Sequence, residues 1–211
     1  MPGILFIGGE GPSREKYDTV ISRFQDEKLT IVAADSGADL AFELDVKPDY
    51  IVGDMDSIVN TRLLEELPVE NIIIHPEDKD ETDTEIGISL LEKLGFNRII
   101  LVGGGKGRLD HTIALLRVFE RIPSLILWLT KKEEIYRIEK SFEVKGWKGN
   151  TVSLFPISER AEDMHSEGLK WKLDGHKWRR TDFGVSNIVT ADVLYISIEN
   201  GKLLLIRNNA L

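Results

Sequence analysis

Two carboxylates stand two residues apart in the run DYIVGDMDSI, at Asp54 and Asp56. In an extended segment residues i and i+2 point to the same side, so both anions would face one point. Such an arrangement calls for a bound cation or a shared proton. The same spacing also suits a polar turn after a strand, in which aspartates bond their own backbone. Other acids occupy comparable places: Asp35 follows LTIVAA, and Asp78, Asp80 and Asp83 follow NIIIHPE. The run GGGKGRLDH follows RIILV. Its glycines, Gly103, Gly104, Gly105 and Gly107, would let backbone N–H groups approach phosphate oxygens, while Lys106 and Arg108 bring positive charge. It is not a P-loop, because Gly107 rather than Ser or Thr follows Lys106, and a plain strand-to-helix turn would use the same glycines.

These residues need a scaffold that brings separate loops together. Short apolar runs alternate with helix-like segments up to about residue 130: ILFIG, LTIVAA, DYIVG, NIIIH, RIILVG and LILWL read as strands. That alternation predicts an α/β fold, a mostly parallel sheet with helices on both faces. One helix is expected across TDTEIGISLLEKLG, with a capping box from Thr82 to Glu85, a face of Ile86, Leu90 and Leu94, and Gly95 at its end. A second is expected from Asp110, with Ile113, Leu116 and Phe119 on one side. From Glu133 onward the runs TVSLFPI, GLKWKL and DVLYISIENGKLLLI alternate more tightly, and Asn200-Gly201 is a hairpin signal. The division is therefore an α/β domain over 1–130 and an all-β domain over 131–211. Each acidic set and the glycine run then sits just past the C-terminal end of a strand, where open parallel sheets bind ligands. Four loops converging there predict a site for a metal-bound polyphosphate.

Composition narrows the function classes. The 211 residues carry a net charge of −9, which argues against nucleic acid as a partner. Cysteine is absent, so disulfides, thiolate zinc sites and cysteine nucleophiles are excluded. No apolar stretch approaches the ~20 residues needed to span a bilayer, and MPGILFIGGEGPS carries no basic leader. The expectation is a cytoplasmic protein without membrane contact. His75, His111, His165 and His176 show no metal-ligand spacing, and only His111 falls near the expected site. KWRR at 177–180 reads as a solvated turn and ERAEDMHSEG at 159–168 as an exposed loop.

As a set, ADSGA at 34–38, GDMDS at 53–57, KDETDTE at 79–85, GGGKGRLDH at 103–111, GLKWKL at 168–173 and GVSN at 184–187 resemble thiamine pyrophosphokinases, in family order and over nearly the whole chain. Ser36 stands where the commoner form of the first motif has glycine. The resemblance implies transfer of a pyrophosphoryl group from ATP to thiamine, giving thiamine diphosphate and AMP, with Mg²⁺ required. It also implies a C-terminal β-sandwich and a homodimer with thiamine sites between subunits. Carried over by motif, Asp35, Asp54, Asp56, Asp83 and Asp110 would serve magnesium and nucleotide, with Asp54, Asp56 and Asp83 as the metal set. Lys79, Thr82 and Arg108 would lie near the phosphates, beside Gly104, Gly105 and Lys106 of the glycine run. Trp171, Ser186 and Asn187 would belong to the thiamine pocket. In an alternating strand Leu169, Trp171 and Leu173 would share a face, leaving Trp171 either as a stacking surface or as sandwich core. Two rivals stand beside this reading: a diphosphokinase acting on a hydroxymethyl pterin, and a nucleotide or thiamine sensor without turnover.

Overall fold

Six apolar runs form parallel strands: β1 (Pro2–Phe6), β2 (Thr30–Ala34), β3 (Tyr50–Gly53), β4 (Ile72–Ile74), β5 (Arg98–Val102) and β6 (Leu125–Leu129). Continuous apolar sequence, rather than alternation, is what burial on both faces demands. This computed structural model describes residues 2–24, 29–59, 64–65, 67–76, 80–105 and 108–208. The strands lie in the order β6-β5-β1-β2-β3-β4. In the parallel register, Leu5 of β1 is level with Val32 of β2 and Leu101 of β5. The chain moves outward from β1 to β4 and resumes with β5 on the other side of β1, so the topological switch point lies between β1 and β5.

The helices are α1 (Arg14–Ile21), α2 (Gly37–Glu43), α3 (Asp83–Lys93) and α4 (Leu109–Arg121). Neighbouring residues of a strand point to opposite faces, and β1 shows both faces covered. Leu5 packs where α3 passes, since a Cβ on Gly87 would lie 2.5 Å from its Cδ1. Phe6 meets Tyr17 of α1 with ring centroids 5.6 Å apart. The expected face of α3, Ile86, Leu90 and Leu94, is displaced. Its buried residues are Ile86, Gly87, Ile88 and Leu91, and Leu94 is 43% exposed. The close approach at Gly87 sets which side faces the sheet, and an apolar count overlooks a glycine. On α4, Phe119 is fully buried as expected, whereas Ile113 is 49% exposed.

The chain divides into two compact units, Met1–Lys131 and Lys132–Leu211. In the second lie β7 (Glu133–Ile138), β8 (Ser141–Lys145), β9 (Thr151–Pro156), β10 (Arg160–Glu167), β11 (Trp178–Arg179), β12 (Gly184–Ile188), β13 (Val193–Asn200) and β14 (Leu203–Asn208). They make two antiparallel layers, β12-β9-β14-β7 and β11-β10-β13-β8.

Four expectations for this region are corrected. Asn200-Gly201 does not close a hairpin: β13 pairs with β10 and β8, whereas β14 pairs with β7 and β9. The dipeptide carries the chain from one layer to the other. ERAEDMHSEG is mostly strand β10, whose alternation changes phase at Asp163, held at φ 53°, so that Ala161, Met164 and Ser166 are its buried residues. GLKWKL forms no strand beyond the single bridge from Leu169 to Val189. KWRR contains the two-residue strand β11 and then turns.

The crossing at Gly201 has a steric requirement. Gly201 has φ 113°, and a Cβ there would stand 2.1 Å from the carbonyl oxygen of Arg160. Backbone strain of this kind costs about 1–3 kcal/mol, so Gly201→Ala should lower the free energy of unfolding by at least that amount in a denaturant titration. A change smaller than about 0.5 kcal/mol, the usual range for surface substitutions, would contradict the layer crossing.

Candidate active site at the strand ends

The loops beyond β1 and β5 are joined at the switch point. Gly104 N donates to Gly8 O at 2.9 Å, while Glu10 N to Gly105 O and Gly105 N to Glu10 O close a reciprocal pair at 2.7 and 3.1 Å. These bonds hold two glycine-rich turns side by side beneath a cleft of about 630 Å³, a size that suits a nucleotide-sized ligand. Asp35, Ser36 and Asp54 line it from beyond β2 and β3. Thr82, Asp83, Arg108, His111, Leu115 and Val118 line it from α3, from α4 and from the turn before α4. Gly8, Gly9, Leu115 and Val118 were not expected there. The glycine pair just after ILFI was a legible signal, whereas the two apolar residues of α4 look like ordinary core.

Asp35, Asp54 and Asp56 each bring a carboxylate oxygen to one place, with the three oxygens within 4.8 Å of one another. They do so through a turn rather than the extended segment the spacing suggested. Met55 is left-handed at φ 68°, Asp54 Oδ1 accepts from Asp56 N at 3.2 Å, and Ser57 Oγ donates to Asp56 Oδ1 at 2.8 Å. Both readings of the D-x-D pair therefore hold at once, a self-bonded polar turn and a carboxylate cluster. Asp83 lies across Gly53: a Cβ there would stand 3.3 Å from both Asp35 Cβ and Asp83 Oδ1. The missing side chain is what lets those two acids share the space.

Asp35 is the strained member. Its φ is 50°, a region aspartate tolerates better than most residues. Burial pushes its carboxyl pKa up; hydrogen bonds from Ser36 and Ser57 oppose that, and the nearby charges of Asp83 and Asp54 add to it. Its Oδ1 is buried without a hydrogen-bond partner. Buried polar atoms are ordinarily paired, and a cation would satisfy this one. Hard carboxylate oxygens are the donors that Mg²⁺ prefers, so the residues present fit that ion.

Around this cluster the positive elements are set by local rules. Thr82 caps α3 in the expected capping box: its N and Oγ1 donate to Glu85 Oε2 at 3.1 and 2.8 Å, and Glu85 N donates to Thr82 Oγ1 at 3.3 Å. Burial would raise the Glu85 pKa, but these bonds and the Arg121 guanidinium outweigh it and hold the pKa below the usual value. Arg108 Nε and Nη2 grip Asp110 at 3.1 and 2.6 Å. The exposed Asp110 is thereby kept below the usual carboxylate range, first by Arg108. The structure thus places Asp110 on Arg108 rather than among the converging oxygens. Lys79 and Lys106 lie outside the described residues.

In the second unit, Trp171 is 54% exposed while Leu169 and Leu173 are 4% and 3% exposed, so the three do not share a face. Lys170 Nζ lies 4.5 Å from the Trp171 ring centroid. A hollow of about 180 Å³ opens beside the ring, lined also by Leu173, Trp178, Val185 and Asn187. Ser186 is exposed and left-handed at φ 59°, and its N donates to Ser153 Oγ at 3.2 Å.

Comparison with known proteins gives a consistent picture. Residues 21–126 match the family model described as thiamin pyrophosphokinase, catalytic domain, and residues 135–203 match thiamin pyrophosphokinase, vitamin B1 binding domain. Thiamine pyrophosphokinase 2 of Arabidopsis thaliana is 29% identical over an aligned length of 182 residues, gaps included, that covers 74% of this chain and 64% of that protein. The chain thus spans just under two thirds of that relative's length. The crystal structure of thiamine pyrophosphokinase from Bacillus subtilis superposes with a TM-score of 0.81 at 19% identity, covering both chains fully. That of thiamin pyrophosphokinase from Geobacillus thermodenitrificans gives 0.76 at 23%, over 100% of this chain and 98% of the other.

A stability test follows from Asp35. Because its folded-state pKa is raised, the native state holds the proton more tightly than the unfolded chain, and the ionised group costs stability once the pH passes the unfolded value. Asp35→Asn removes that charge in a residue that also tolerates left-handed backbone. In chelator, the variant should melt above the wild type at neutral pH, with the gap closing as the pH falls into the ordinary carboxylate range. Added Mg²⁺ should raise the melting temperature of the wild type more than that of the variant.

Proposed function

The chain belongs to the thiamin pyrophosphokinase family, and we propose from that premise that it transfers the pyrophosphoryl group of ATP to the hydroxyl of thiamine. The products are thiamine diphosphate and AMP. The observation that supports this most is the cleft at the β1–β5 switch point, where Asp35, Asp54 and Asp56 converge near Asp83 and Arg108.

In this reading the thiamine hydroxyl oxygen bonds to the β-phosphorus as the oxygen bridging to the α-phosphorus departs with AMP, and the hydroxyl proton is released. Such a transfer asks for positioning and charge neutralisation rather than a covalent intermediate. Asp35, Asp54, Asp56 and Asp83 would hold Mg²⁺, which when bound would supply charge that neutralises the phosphate groups. Arg108 is oriented in advance by Asp110 through Nε and Nη2, leaving Nη1 outside that pair for a phosphate oxygen. The capped N-terminus of α3 directs its positive end at the cleft, and Gly104 and Gly105 line it; Lys79 and Lys106 have a phosphate role only by the family resemblance. Trp171, with Asn187 beside it, takes the cationic aromatic substrate by stacking and cation–π attraction; Ser186 joins that pocket by the family resemblance.

Further parts of the same proposal are a homodimer with thiamine sites between subunits, from the family resemblance, and a cytoplasmic location, from the lack of cysteine. Among the described residues, no helix is long and apolar enough to cross a membrane. A pterin diphosphokinase is disfavoured by the vitamin B1 binding match over 135–203. A sensor without turnover would need an incomplete acid set, whereas Asp35, Asp54, Asp56 and Asp83 are all present.

Incubation with ATP, Mg²⁺ and thiamine should yield AMP and thiamine diphosphate in equal amounts. Asp54→Asn should cut turnover by about 100-fold or more, since it removes charge from the metal shell, while the fold persists. Product from a pterin alcohol but none from thiamine would select the rival. For Trp171→Ala, the half-exposed ring predicts little change in melting temperature. The thiamine KM should rise roughly 10-fold, as loss of about 1–2 kcal/mol of stacking implies, with the ATP KM unchanged.

A further inference from the structure

Trp171 is an exposed ring on a segment with little secondary structure, yet a stacking surface has to be held still. Residues 170–173 lie in no helix or strand. Lys170 N donates to Ile188 O at 2.9 Å, and Leu173 N donates to the hydroxyl of fully buried Ser166 at 2.8 Å. Between these anchors the backbone of Trp171 itself is paired by one side chain, Asn187. Its Oδ1 accepts from Trp171 N at 3.1 Å and its Nδ2 donates to Trp171 O at 2.7 Å. The same Oδ1 accepts from Ile188 N at 2.9 Å. A carboxamide can do this because it carries donor and acceptor together, so it imitates the pairing that a neighbouring strand would otherwise supply.

The backbone explains how Asn187 reaches that place. β12 pairs with β9 in a register that shifts between Gly184 and Asn187, and Ser186 takes the left-handed conformation there. Irregularities of this kind re-aim a side chain. Asn187 is consequently only 6% exposed although its neighbours Val185 and Ser186 are exposed.

We infer that Asn187 is a positioning residue, which acts on the thiamine site through Trp171 rather than by touching substrate. The inference rests on the reading of Trp171 as the stacking ring. Asn187 thus engages its Oδ1 and one N–H of Nδ2 on the main chain of Trp171 and Ile188. Its loss would leave the N–H and C=O of Trp171 unpaired and let the ring leave the orientation that a planar ligand needs.

A double-mutant cycle tests this, with KM for thiamine, KM for ATP and kcat measured for the wild type, Asn187→Ala, Trp171→Ala and the double variant. Asn187→Ala should raise the thiamine KM roughly 5- to 10-fold and leave the ATP KM unchanged. In the Trp171→Ala background the same change should matter less than about 2-fold, because residues that act through one another are not additive. Fully additive effects would overturn the proposal by showing that Asn187 does not act through Trp171. A thiamine KM unaffected by Asn187→Ala, or a fall in kcat alone, would overturn it in favour of a purely structural role. If Trp171→Ala by itself leaves the thiamine KM unchanged, the stacking reading fails and the positioning role falls with it, a pattern distinct from additivity. Should Asn187→Ala not fold, Asn187→Asp serves in the same cycle. It keeps an acceptor for Trp171 N but sets a carboxylate oxygen against Trp171 O in place of the donor, so a rise in thiamine KM with the same non-additivity is expected.

Discussion

Parallel pairing is the constraint from which the first unit follows. Strands that all run one way must each be followed by a return connection, so the loops past β1, β2, β3 and β5 collect at one edge of the sheet. The reversal of order at β1 opens that edge, since β2 and β5 flank β1 and their following turns diverge. The paired glycine turns at Gly8 and Gly104 then form the floor of the cleft. Helices on both faces bury the sheet, with Leu5 against α3 and Phe6 against Tyr17 of α1. The edge where the loops meet remains open to a ligand.

What the fold collects there is electrostatically unfavourable by itself. Three carboxylate oxygens within 4.8 Å, one of them on an aspartate with left-handed backbone and an unpartnered buried oxygen, form an arrangement that stability alone would not select. Strain and like-charge crowding of this kind concentrate at functional sites. The positive counterparts are arranged without closing the cluster: Arg108 is held by Asp110, and Thr82 with Glu85 secures the start of α3. Within it, the buried Asp35 Oδ1 is the atom without a hydrogen-bond partner, and the proposed metal-bound polyphosphate would bring a cation to it.

The second unit solves a different problem. Its two antiparallel layers need chain crossings, and Gly201 supplies one where any side chain would strike the Arg160 carbonyl. Between the strands, the segment bearing Trp171 is held by side chains standing in for ladder partners, Asn187 on one side and Ser166 on the other. A hydrogen-bonded side chain restrains a loop without covering it, and so the indole can be both fixed and exposed.

Features that depend on a few consecutive residues were legible in the sequence. Continuous apolar runs such as LTIVAA and RIILV marked buried parallel strands, Thr82 and Glu85 marked a helix start, and acids just past those runs marked the edge where the cleft opens. Each reflects an interaction that is completed within about four residues or by burial of a whole run. Other features were decided by tertiary structure alone. Asn200-Gly201 looks like a hairpin, but its flanking strands find better partners in different layers. Gly87 chooses the buried face of α3 because only its lack of a side chain lets the helix reach Leu5. Asp35 joins Asp54 and Asp56 because β2 and β3 are neighbours, and Asn187 meets Trp171 because an irregular turn in β12 points it inward. Such pairings join residues distant in sequence, and their energies depend on which surfaces meet, something no local pattern encodes.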